Sequence, residues 1–137
     1  DANYTNGSAK VEIKGGMFHN WNPQDNAAEG TGTDFCHADY AATETSANVW
    51  TVLPAVAKIG EARFATLQAA VNAVQNAETI NIIANIDENV NIVQTEGLSF
   101  TIDGAKDASS NYEFTATINI EGQDRFDGEE TLTIKNI

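Results

Sequence analysis

From Glu78 onward the chain is a succession of short segments rich in Ile, Val and Thr: "TINIIANI" (79–86), "NVNIVQ" (89–94), "LSFTIDG" (98–104), "YEFTATINIEG" (112–122) and "TLTIKNI" (131–137). Apolar and polar residues alternate in them, which is the period of a strand with one buried face. Polar turns separate them: "DEN", "TEG", "AKDASSN" and "QDRFDGEE". Three segments end alike, in "FTIDG", "INIEG" and "LTIKN", and "VEIKGG" near the N-terminus has the same form. Each reads apolar-x-Ile-polar-Gly/Asn, and Gly or Asn suits a corner that needs positive φ. The spacing from Gly104 to Gly122 to Asn136 is irregular, which excludes a strict repeat. Two architectures accommodate the pattern: a parallel β-solenoid with loops of unequal length, and a hairpin sandwich. Tight turns such as Asn-Gly between paired strands are missing, which favours the solenoid.

The first half is less regular. "KVEIKGGMF" (10–18) reads as a strand that breaks at Gly15-Gly16, with Met17 and Phe18 re-entering the core. Residues 19–48 have no clean period and read as a long irregular loop anchored by Trp21, Phe35 and Tyr40. "VWTVLP" (49–54) is a strand stopped by Pro54, with Trp50 and Val52 on one face and Val49, Thr51 and Leu53 on the other. Strand character returns at Val56–Ile59. "FATLQAAVNAVQNA" (64–77) then carries Leu67, Ala70, Val71 and Val74 at i, i+3, i+4, i+7, which predicts a helix over about 65–76. Thr66 is its natural N-cap, and Asn76 sits where a C-cap belongs.

Composition narrows the function classes. Twenty acidic residues against seven basic ones give a formal net charge of -13. Such a chain has no Lys/Arg patch for nucleic acid and is repelled by anionic membrane surfaces. No apolar run approaches the ~18 residues of a membrane span. Cys36 is the only cysteine, so no intrachain disulfide forms. The opening "DANYTNGSAK", without an initiator Met, reads as that of a processed or excised piece, and the Lys-poor, Asn/Thr/Gly/Ala-rich composition suits an extracellular or cell-surface setting.

Residues capable of chemistry are scattered. His19, Cys36 and His37 are soft-metal ligand types, but their spacing is no zinc pattern and a fourth ligand is missing, so no metal or other cofactor is expected. Carboxylates gather in "DRFDGEE" (124–130) and "DGAKDASSNYE" (103–113), neither of which fits a helical calcium loop. Asp103, Glu121, Asp124 and Asp127 could line one face, as a glycosidase pair or lyase base would, yet solvated turns offer the same residues. No catalytic residue is assigned. Trp21, Phe35, Tyr40 and Trp50 are candidate carbohydrate-binding residues, because aromatic faces stack on sugars; the competing role is to anchor the loop. Phosphate loops, Ser/His/Asp orderings and basic-aromatic interleaving are absent.

"IGEARFATLQAAVNAVQNAETINIIANIDENVNI" (59–92) resembles the opening of right-handed parallel β-helix (pectate-lyase-like) modules in large surface proteins of gut bacteria and their phages. Ile59, Gly60, Phe64, Thr66, Leu67, Ala70, Val71, Thr79 and Ile80 carry the resemblance. Residues 13–54 resemble the closing segment of such modules through Gly15, Gly16, Phe18, Asn22, Pro23, Phe35, Tyr40, Trp50 and Val52. The resemblance implies a mainly β chain: one short right-handed parallel β-helix domain over 1–137, capped by the helix at 65–76 and carrying the irregular loop at 19–48. The order is inverted, with a closing segment (1–54) before a helix cap and opening rungs (59–137). A permuted fold and a piece straddling two modules both account for this.

The expected function is a non-catalytic structural or adhesion module of an extracellular or cell-surface repeat protein. Carbohydrate binding or polysaccharide processing on the same fold is the alternative. The expected partner is a glycan or host-surface ligand, not nucleic acid, and no membrane insertion is expected. "LTIKNI" (132–137) matches "VEIKGG" in form, so Leu132–Asn136 is expected to pair in parallel with Val11–Lys14, in the same or a neighbouring copy.

Overall fold

The computed structural model describes residues 1–93, 95–122 and 130–137. It divides into two compact units, Asp1–Ala55 and Val56–Ile137.

The first unit opens with a single helical turn, α1 (Ala2–Thr5), whose N-cap Asp1 accepts a hydrogen bond from Asn3 N. Three strands follow: β1 (Gly16–His19), β2 (Tyr40–Ser46) and β3 (Val49–Pro54). They form an antiparallel sheet in the order β1-β3-β2. Asn48, at φ 58, closes the tight turn from β2 to β3, and its amide donates to Glu44 Oε1 at 2.7 Å. Asn accepts this left-handed conformation more readily than other non-Gly residues. Between β1 and β2 the chain is organised by side-chain-to-backbone bonds. The Asn26 amide donates to the carbonyls of Asn22, Pro23 and Thr33 at 2.9–3.3 Å, and Gln24 Oε1 accepts from Ala42 N at 2.6 Å. Pro23 is fully buried there. Ile13 makes a parallel bridge to Cys36.

The second unit contains β4 (Ala57–Ile59), β5 (Ala62–Phe64), α2 (Leu67–Ala73), β6 (Thr79–Ile82), β7 (Val90–Val93), β8 (Phe100–Asp103), β9 (Ile118–Glu121) and β10 (Leu132–Lys135). Five of the strands form a mixed sheet in the order β10-β8-β6-β4-β5. Its β10-β8 and β8-β6 pairs are parallel, whereas β6-β4 and β4-β5 are antiparallel. β7 and β9 form a separate parallel pair. The register stacks Ile80, Ile102 and Ile134 in one column and Phe100 with Leu132 in the next. Across β7 and β9, Val90 lies beside Ile118 and Ile92 beside Ile120. Leu67, Ala70 and Val74 of the helix and its C-cap join Ile80, Ile82, Ile86, Val90, Ile92, Phe100 and Ile102 in one buried cluster. That stripe is what holds α2 in place: seven residues of isolated helix are unstable in water. Thr66 Oγ1 accepts from Ala69 N at 3.0 Å, as expected of an N-cap.

The molecule is mainly β, but the parallel β-helix is not its architecture. The strands are divided among separate sheets, one antiparallel, one mixed and one a parallel pair, and none closes into a coil. The reason lies in two reversals that the absence of Asn-Gly between paired strands concealed. Asn48 alone supplies the left-handed residue between β2 and β3, and Gly60, at φ 55, does so between β4 and β5. Each permits a hairpin where a coil would continue in the same sense.

Local expectations change too. Residues 40–46 of the supposed loop are strand β2, and of residues 10–14 only Ile13 contributes, as a bridge rather than a strand. Met17 is 62% exposed instead of buried, because the strand begins at Gly16 and turns it outward, away from Phe18. The helix ends at Ala73, earlier than 76, with Val74 as its C-cap. Asn76 instead accepts a hydrogen bond from Ser99 N at 2.9 Å.

Candidate functional site

The four aromatic candidates all lie in the first unit. Trp21 follows β1 and is half-buried. Its ring meets Phe18 at 5.4 Å in an edge arrangement and Phe35 at 6.1 Å. Phe35, 8% exposed, also takes the edge of Tyr4 at 5.3 Å. Offset and edge-on contacts at these separations are the favoured aromatic geometries. Trp21 and Phe35 are therefore one cluster, joined by Phe18 and Tyr4. Trp50 stands directly across the sheet from Phe18 on one side and from Glu44 on the other. Residues directly opposite in a sheet share a face, so Phe18, Trp50 and Glu44 present one surface. Tyr40, at the start of β2, lies on that face opposite Pro54, and its ring pairs with His37 at 5.9 Å.

Phe35 is too enclosed to meet a ligand, whereas Trp21 and Trp50 keep partial exposure. The surface that can stack on a ring is thus Trp50 with its neighbour Phe18, flanked by Trp21 and Glu44. Sequence reading assigned Phe18 to the core and passed over Tyr4 and Glu44. Only the β1-β3-β2 register brings Phe18 and Glu44 beside Trp50, and no local pattern encodes that register.

The metal candidates are not brought together. Cys36 is buried, His19 is exposed on β1, and His37 faces carboxylates. Asp39 N donates to His37 Nδ1 at 3.2 Å, a bond that needs this nitrogen unprotonated. His37 Nε2 lies 3.8 Å from Glu12 Oε1. Glu12 also meets Lys10 Nζ at 2.5 Å, and this hydrogen bond is the main cause holding its carboxyl below the usual range. Among the described residues no three His, Cys, Asp or Glu side chains gather as a metal site.

The carboxylate candidates of the second unit are held by their own structure. Asp103 Oδ1 accepts from Asn136 Nδ2 at 2.9 Å and from Ala105 N at 3.0 Å, and Lys135 Nζ is 3.0 Å from Oδ2. These bonds, the one from Asn136 first, lower its pKa to about 2. Asp107 is also lowered to about 2, chiefly by Ser110 Oγ at 2.7 Å, with Ser109 donating through N and Oγ. Glu121 is exposed on β9. Asp124, Asp127 and the rest of "DRFDGE" (124–129) lie outside the described residues.

A hollow of about 460 Å³ lies along α2 and β7, lined by Gln68, Val71, Asn72, Asn91, Val93 and Leu98 among others. Gln68 spans one wall. Its Oε1 accepts from Asn91 N at 2.8 Å and its Nε2 donates to Asn91 O at 2.9 Å. The amide thus makes the two bonds that an adjacent strand would make. Similar clamps recur across the parallel pairs. Asn85 Oδ1 accepts from Glu113 N, Asn89 Oδ1 from Thr117 N, Ser99 Oγ from Thr131 N, and Asn119 Nδ2 donates to Asn91 Oδ1, at 2.9–3.1 Å.

No helix among the described residues is long and apolar enough to cross a membrane. Comparison with protein families, with characterised proteins and with solved structures found no match to the chain.

Proposed function

We propose that the chain is a non-catalytic structural or adhesion module of an extracellular or cell-surface protein. The observation that carries this reading is the use made of its polar side chains. Asn76, Asn85, Asn89, Gln68 and Ser99 are engaged in binding one stretch of backbone to the next. Asp103 and Asp107 are held at pKa values of about 2 by local donors. A general acid or base works best with a pKa near the operating pH. Both carboxyls are displaced the other way, as permanent anions in a framework. The acidic, Lys-poor surface and the resemblance of 59–92 to modules of bacterial and phage surface proteins support the setting.

The test is to immobilise the chain and measure retention of mucin and of intact epithelial cells, alongside depolymerisation of a polysaccharide panel. Retention without depolymerisation is the expected result. Turnover of any polymer that is abolished by Asp103→Asn would overturn the reading.

A second reading, carbohydrate binding, is favoured by one feature: Trp50 and Phe18 are cross-strand neighbours on one sheet face beside Glu44, and both keep partial exposure. An aromatic pair with an adjacent carboxylate offers both stacking and hydrogen-bond acceptance to a sugar. On a glycan array, Trp50→Ala would then lose binding while the fold, read by circular dichroism, persists.

A further inference from the structure

Strand β10 is the end of its sheet: one edge lies on β8, and no strand among the described residues pairs with the other. The direction of its backbone groups follows from two hydrogen bonds. Phe100 N donates to Thr131 O and Gly104 N to Lys135 O, so Thr131 and Lys135 face β8. Alternation along a strand then turns the N–H and C=O of Leu132 and Ile134 toward the other edge. The apolar columns of the core end there as well. Ile80 and Ile102 are fully buried, whereas Ile134, next in the column, is only half covered.

Residues 11–14 carry the complementary edge. Ile13 N donates to Phe35 O and its carbonyl accepts from His37 N, so Ile13 faces the 35–37 segment. The backbone groups of Glu12 and Lys14 point the other way and make no backbone hydrogen bond among the described residues. Val11 is 46% exposed. A parallel pair needs the outward residue of one strand to sit opposite an inward residue of the other. Aligning Ile134 with Ile13 satisfies this, and places Leu132 beside Val11 and Thr133 beside Glu12. Apolar residues then continue apolar columns, and the outward groups of Ile134 meet Glu12 C=O and Lys14 N–H. Lys135 falls opposite Lys14, but Asp103 already balances its charge at 3.0 Å.

We propose that Leu132–Lys135 of one copy adds in parallel to Val11–Lys14 of a second copy, forming a head-to-tail contact between identical chains. The contact is heterologous, so it leaves the same two edges free at the ends of every assembly that does not close into a ring, and there it can propagate. Each copy carries a formal charge of -13, so association strengthens as salt screens the repulsion. The proposal is independent of whether the module binds a ligand.

The experiment uses the full chain in two parts. Aligned parallel residues lie about 4.8 Å apart, inside the span that a disulfide bridges. Glu12→Cys and Thr133→Cys proteins are mixed under mild oxidation, with each alone and the wild type, whose single Cys36 is buried, as controls. The expected result is a mixed disulfide far in excess of either like-with-like product. In parallel, light scattering across concentration and ionic strength should show wild-type association rising with salt. Glu12→Pro removes an outward N–H without touching the Ile13 bridge, and should weaken association by about tenfold, the equivalent of roughly 1.4 kcal/mol. A wild type that stays monomeric at all salt concentrations overturns the proposal. So does a dominant like-with-like disulfide, or association indifferent to Glu12→Pro. A disulfide that forms inside single Glu12→Cys/Thr133→Cys chains, without dimer, also overturns it.

Discussion

Gly104 sits where β8 ends against the last residues of β10, and its replacement by alanine tests how tightly the two are joined. A Cβ built there lies inside the van der Waals surface of the Asn136 carbonyl oxygen, 2.6 Å from Ile137 Cγ2 and 3.2 Å from Asn136 C. The obstructing atom is backbone, so no rotamer change relieves it. Gly104 has no left-handed φ, and alanine carries no intrinsic backbone penalty there. It even returns about 0.4–1 kcal/mol by restricting the unfolded chain. Against that stand the overpacking cost, about 1–3 kcal/mol, and the loosening of the Gly104 N to Lys135 O bond and of the Asp103–Asn136 bond. The clash cannot cost more than releasing β10 altogether, which gives up a row of ladder bonds and the partial burial of Leu132 and Ile134. A net loss of about 2 kcal/mol, concentrated in β10, is expected. Amide hydrogen exchange is the appropriate assay, because local opening of an edge strand precedes global unfolding. Protection at the Thr133 and Lys135 amides, which face β8, should fall about 30-fold, in line with tenfold per 1.4 kcal/mol. Ala57–Ile59 should be nearly unaffected. Gly15→Ala is the matched control: nothing lies within 4 Å of its Cβ, and its stability should be unchanged or slightly raised. If β10 protection in Gly104→Ala equals that of Gly15→Ala, the close approach of β8 and β10 is refuted.

Thr66→Ala removes the acceptor of Ala69 N and should cost about 1 kcal/mol in urea unfolding. Ile102→Ala, at the centre of its column, should cost about 3–4 kcal/mol, whereas Ile134→Ala at the half-exposed end of the same column should cost about 1 kcal/mol. The low pKa of Asp103 means that its carboxylate favours the folded state. That contribution is complete above the ordinary carboxyl range and disappears as pH falls from about 4 toward about 2. Its size is about 1 kcal/mol after allowance for screening at the half-exposed Lys135, and Asp103→Asn should flatten this part of the acid-unfolding curve.

Local elements were legible where a period was clear. The alternation in 79–86, 89–94, 98–104, 112–122 and 131–137 marked five strands, which the structure shortens to 79–82, 90–93, 100–103, 118–121 and 132–135, and Thr66 with Leu67, Ala70 and Val74 marked the helix. Alternation tells which residues share a face, but not which edge meets which, nor in what direction. That gap is why a coil was expected where open, mixed sheets occur. Strand β2, "YAATETS", sets Ala beside polar residues on each face and gives no apolar–polar period. Of the aromatic cluster, Trp21 and Phe35 were picked out by residue type, whereas their partners Phe18 and Tyr4 were not. The pairing of Phe18 with Trp50 and Glu44 depends on long-range register, which the local sequence does not contain.

Gln68 gives the second unit a polarity. By occupying both backbone groups of Asn91, it closes the β7 side of the β7-β9 pair with a single side chain on a helix. Among the described residues no side chain does the same on the β9 side, and Ile120 on that strand is 52% exposed. A further strand approaching the β7 border would find the N–H and C=O of Asn91 already bonded. Gln68 thus acts as a molecular selvedge, and Gln68→Ala would uncover the backbone groups of Asn91 along that border.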